Sequence, residues 1–70
     1  MTKATKIFNR IQKKYNLNLE IDSNVSDMIG GQIMTSIVAY DDQDTEYTFE
    51  HCNSQGVNCY DSIGNRYEDA

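Results

Sequence analysis

Between residues 32 and 68 the chain alternates strand-like runs with turn signals, as QIMTSIVAY, DDQD, TEYTFEHC, NSQG, VNCYDSI, GN and RYE. No other feature restricts the fold as much. Period-2 alternation bounded by polar and glycine-containing clusters is the pattern of successive antiparallel strands. It predicts a meander centred on residues 45–52, where the alternation is cleanest. Residues 32–40 are apolar on both alternating sets, Met34, Val38 and Tyr40 on one and Ile33, Ile37 and Ala39 on the other. Strands with two buried faces read this way, which places the segment inside the sheet.

Upstream, Ile7, Phe8, Ile11 and Tyr15 fall on one helical stripe, with Lys6, Arg10, Lys13 and Lys14 largely off it. Thr2 or Thr5 is positioned to cap this helix, and Asn16, a residue tolerant of left-handed backbone, to end it. Leu17, Leu19 and Ile21 alternate as a short strand. Residues 23–31 read either as a single turn capped by Asn24 or as an open loop, closed by Gly30 and Gly31. The expected fold is α+β: one N-terminal amphipathic helix packed on a mainly antiparallel β-meander of four to five strands, in one small domain spanning residues 1–70.

Turn parity sets the expected faces. An even loop within residues 53–56 joins Phe49 to Tyr60 on one face and Cys52 to Cys59 on the other, whereas an odd loop sets Phe49 beside Asp61. Avoiding a buried charge favours the even loop. With a two-residue tip at Asp42 and Gln43, the first face gathers Met34, Val38, Tyr40, Tyr47, Phe49, His51 and Tyr60 under the helix. The second holds Ile33, Thr35, Ile37, Glu46, Thr48, Glu50, Cys52, Cys59 and Asp61, with no element left to cover it.

Charge is polarised along the chain. Five of its six bases lie in residues 1–14, while all eleven acids lie from Glu20 onward with Arg66 as the only base, so the two parts carry +5 and −10. Such asymmetry points to an electrostatic partner or to internal pairing. No run reaches the roughly 18 apolar residues of a membrane-spanning helix, and no signal peptide is recognisable at the start. These features give the expectation of a cytoplasmic protein without membrane contact.

Catalytic and metal signatures are weak. Cys52, Cys59 and His51 lack CxxC spacing and a fourth ligand, and parity sends His51 away from both cysteines. Sharing a face, the cysteines are in position for a cross-strand disulfide, but with no recognisable export signal two reduced thiols are the preferred expectation. Asp41, Asp42 and Asp44 lack the spaced ligands and glycine of a calcium loop. At 70 residues a core supplies only about 3–5 kcal/mol, which leaves little for a catalytic cleft. A non-enzymatic protein without cofactor or metal is expected.

The last stretch, YDSIGNRYE, sets Tyr60, Asp61, Gly64, Asn65 and Arg66 as in one unit of the tyrosine–aspartate repeat, and locally resembles Rhs-type shell proteins. Those proteins carry many tandem copies and this chain has one, so the resemblance implies shared hairpin chemistry only. In size, acidity and α+β character the chain resembles small phage-encoded viral inhibitors such as anti-CRISPR and anti-restriction proteins. The uncovered acidic face is expected to capture a basic, nucleic-acid-binding protein partner. The residues assigned to it are Asp41, Asp42, Asp44, Glu46, Glu50, Asp61, Ile33 and Ile37. The alternatives are a self-assembling subunit, such as a homodimer, and nucleic-acid binding through the basic helix, which the acidic remainder opposes.

Overall fold

Helix α1 spans Lys3–Lys14 and forms for the reason its spacing gives. Ala4, Ile7, Phe8 and Ile11 recur at i, i+3, i+4 and i+7 and are buried, while Lys3, Lys6, Arg10, Lys13 and Lys14 stay exposed. The computed structural model describes residues 3–69, so the Thr2 cap lies outside the described residues. At the other end Asn16 takes φ 57°. The Leu17 amide donates to the Gln12 carbonyl at 2.8 Å and the Asn16 amide to the Lys13 carbonyl at 3.4 Å, the paired bonds of a Schellman cap.

Four strands follow, β1 (Glu20–Ile29), β2 (Gln32–Tyr40), β3 (Glu46–Cys52) and β4 (Gly56–Asp61), in an antiparallel sheet of order β1-β2-β3-β4. The α+β meander is therefore present with four strands. Residues 23–31 hold neither an isolated helical turn nor a loop. They continue β1 into a hairpin whose two-residue turn is Gly30 and Gly31, at φ 59° and 79°. Both central residues of the turn that matches strand twist need positive φ, and two glycines supply it without a Cβ penalty. A bulge between Ile21 and Ser23 leaves Asp22 unpaired in the ladder.

Both remaining turns are odd, which corrects the expected faces. Tyr40 pairs with Glu46, so residues 41–45 form a five-residue loop. The Asp41 carboxylate accepts from the amides of Gln43 and Thr45, each at 2.9 Å, and from the Tyr47 hydroxyl at 3.1 Å, while Asp44 takes φ 67°. Those bonds organise a loop three residues longer than the expected two-residue tip. Cys52 pairs with Gly56 across residues 53–55, with Gly56 at φ 84°, as in a three-residue hairpin followed by a left-handed glycine.

As a result the rung Asn24–Ile37–Phe49–Cys59 lies under the helix, flanked by Ile21–Ala39–Tyr47–Asp61 and Ser26–Thr35–His51–Val57. Ile37, Ala39 and Phe49 are fully buried, and the Phe8 and Phe49 rings meet edge-to-face at 5.4 Å. Met34, Val38, Tyr40 and Tyr60 belong to the opposite face.

Beyond β4 the chain folds back along the sheet edge. The Tyr67 amide donates to the Cys59 carbonyl at 2.9 Å and the Asp61 amide to the Asn65 carbonyl at 3.0 Å, and Tyr60 bridges to Arg66. A fifth strand is thus reduced to one bridge. Tyr67 packs on Tyr15 and Tyr47, with ring centroids 5.1 and 5.5 Å away. The Arg10 guanidinium grips the Asp69 carboxylate with bonds of 2.7 and 2.6 Å, and Lys14 Nζ donates to the Glu68 carbonyl. Part of the charge polarity is therefore paired internally. Among the described residues no helix is long and apolar enough to cross a membrane.

Candidate interaction face

The sheet surface away from the helix has no covering element among the described residues. Its rungs read Glu20–Tyr40–Glu46, then Ser23–Val38–Thr48–Tyr60, Val25–Ser36–Glu50–Asn58, and Asp27–Met34–Cys52 toward the Gly30–Gly31 end. Tyr40 Oη donates to Glu46 at 2.9 Å, which raises the tyrosine's pKa because its ionised form would face the carboxylate. Asn58 Nδ2 donates to Glu50 at 3.3 Å, and Asn58 Oδ1 accepts from Arg66. Glu46 and Glu50 stand four positions apart on β3, about 13 Å at the usual strand rise. That separation holds no proton-sharing pair. It displays carboxylates between tyrosine and aliphatic side chains.

The expected mixed acidic and apolar surface exists, with changed membership. Glu46 is exposed and Glu50 half-buried on it, with the exposed Asp42 and Asp44 at its rim. Ile37 is 0% exposed beneath the helix and Asp61 is 4% exposed, so neither is presented to a partner. Ile33 is exposed, but it pairs with Met28 on the helix side of the sheet. Asp41 is half-buried and committed to its own turn, whose hydrogen bonds, led by that from Thr45, hold its carboxyl below the usual range. The apolar members come from the other parity and from β1: Val25, Ile29, Met34, Val38, Tyr40 and Tyr60. Because both turns are odd, the expected parity places β2 and β4 on the wrong sides and only β3 on the right ones.

Cys52 and Cys59 are free thiols on opposite faces, so the cross-strand disulfide is ruled out by register. His51 shares the helix side with Cys59 and lies opposite Cys52. Among the described residues no group of three histidine, cysteine or acidic side chains is placed to hold a metal ion. Cys52 Sγ donates to Gln32 Oε1 at 3.0 Å and sits 3.5 Å from Ser54 Oγ, which lowers its pKa. Burial pushes the Cys59 thiol up to about 11, with the Asp61 charge adding to it. Under non-reducing conditions the native protein is therefore expected to keep two titratable thiols, with Cys52 alkylated by iodoacetamide well before Cys59. Equal alkylation rates, or a mass lower by two hydrogen atoms, would contradict this placement.

Comparison with known protein families, with curated protein sequences and with solved structures found no match.

Proposed function

We propose that this chain is a non-enzymatic binding protein, comparable in kind to small phage-encoded inhibitors, that docks its uncovered sheet face on the basic surface of a nucleic-acid-binding protein. The observation that carries this reading is the interleaving of Glu20, Glu46 and Glu50 with Tyr40, Tyr60 and Val38 on a face that no other element covers among the described residues. Dispersed carboxylates match the spaced positive charge of a phosphate-binding groove, and the tyrosines add contact area at low entropic cost. The same dispersal argues against acid–base catalysis, which needs groups converging on one atom. Direct nucleic-acid binding by the helix is less well supported, since Arg10 is held by Asp69 and Lys14 by the Glu68 carbonyl.

The test is charge reversal. The double variant E46K/E50K should fold as the parent does, because both side chains lie outside the core. Tagged parent protein incubated with lysate of its source cell is expected to retain a basic protein that elutes as salt rises toward 1 M, where screening acts within about 3 Å. The double variant should lose that protein. Retention of the same protein by both forms would exclude this face.

A further inference from the structure

The two edges of the sheet are finished differently. The outer edge of β4 is covered by residues 65–67, through the Tyr67 and Asn65 backbone bonds and the Arg66 bridge. Among the described residues nothing pairs with the outer edge of β1, a ten-residue strand. The Gly30–Gly31 turn closes on Ile29 and Gln32, so Ile29, Asp27 and Val25 direct their backbone groups to β2. Asn24, Ser26 and Met28, all exposed, direct theirs outward.

We infer that β1 is a strand-addition site, where an extended basic segment of the partner protein pairs as a fifth strand beside Asn24, Ser26 and Met28. This rests on the function proposed above and specifies how the partner is held. Bare edges in folded proteins are normally blunted by lysine, proline or a covering segment. Here β1 has no lysine and no proline, and its one bulge lies at the far end, at Asp22. Its exposed Val25, Met28 and Ile29 offer apolar contacts on both faces to alternate side chains of an incoming strand. Its charged residues are Glu20, Asp22 and Asp27, all acidic. A strand alternating lysine or arginine with apolar residues complements that edge. A second copy of the chain would bring the same three acids and its own net charge of −5.

The probe is an end-blocked ten-residue peptide alternating lysine and valine, added to the ¹⁵N-labelled full chain at low salt. At a free concentration ten times its Kd, the outward amides of Asn24, Ser26 and Met28 should exchange about tenfold more slowly. The same peptide N-methylated at alternate residues keeps its charge and side chains but loses its strand donors, and should give no protection. The variant Asn24→Pro should keep the native spectrum, since proline is tolerated where an edge amide faces outward, and should lose the protection. No binding, or equal binding of the N-methylated peptide, overturns the inference. Peptide shifts confined to the Glu46 and Glu50 surface overturn it while leaving the proposed function standing. Protection that rises with protein concentration in the absence of peptide identifies a second copy as the occupant and also overturns it.

Discussion

Asp61→Ala should lower stability by about 3 kcal/mol, which is most of what a domain of this size possesses. Asp61 is 4% exposed, yet its carboxylate is surrounded by donors. Oδ1 accepts from the amides of Ile63, Gly64 and Asn65, each at 3.0 Å, and Oδ2 from Asn65 Nδ2 at 3.1 Å and Tyr67 Oη at 2.7 Å. Alanine removes the carboxylate that accepts from residues 63–65 and releases Tyr67, the ring wedged between Tyr15 and Tyr47. Charge-assisted bonds contribute roughly 1.5–3 kcal/mol each, and solvent reaching the exposed turn recovers part of that loss. Urea unfolding at pH 7 measures the effect. A loss under about 1 kcal/mol, within the range of ordinary surface substitutions, would show that the turn does not depend on the carboxylate.

The same site fixes an acid limit. Burial alone would push the Asp61 carboxyl up, but the bonds from Tyr67, Asn65 and the Ile63 amide outweigh it and bring the group from 3.8 down to about 2. A carboxyl whose folded value lies below its unfolded one binds protons more readily in the unfolded chain. Its contribution is complete above the unfolded value and disappears as pH falls through the folded one. Stability should therefore drop between about pH 4 and pH 2. Asp69, held low by Arg10, adds in the same direction. In Asp61→Asn that drop should be shallower, and parallel stability curves for the two proteins would remove Asp61 from the account.

Asp61 also explains where the sequence was readable and where it was not. Helix α1, its Asn16 terminus and the meander follow from spacing, since stripes and alternation survive any small error at a boundary. The faces follow from turn parity, and parity depends on single residues. The expectation of an even loop, which keeps Phe49 from Asp61, rests on the resistance of a charge to burial. That ground fails because Ile63 to Asn65 fold back and, with Tyr67, supply the donors, a capacity signalled by aspartate followed closely by glycine and asparagine. In DDQD the first aspartate turns inward and the third adopts a left-handed backbone, and nothing in the four letters distinguishes their roles. The exposed tip of β1 was hidden for a related reason. A ten-residue strand with few apolar neighbours looks like a loop until Gly30 and Gly31 are seen to make its turn.

A second large effect separates the two faces of β2 within a single strand. Ile37→Ala should cost about 2–5 kcal/mol, enough to unfold much of the population, because Ile37 is 0% exposed in the cluster with Phe8, Ile11 and Phe49. Met34→Ala, three residues earlier on the uncovered face and 37% exposed, should cost less than about 0.5 kcal/mol. Had residues 41–45 formed a two-residue tip, Met34 would have lain under the helix and Ile37 outside, and the order of the two effects would be reversed. Thermal melts of both variants give the sign directly, and the larger loss at Met34 would overturn the five-residue turn. The result bears on function as well. If Ile37 holds the helix in place, Met34 and Val38 are left on the outer face beside Glu46 and Glu50, available to a partner at little cost to the fold.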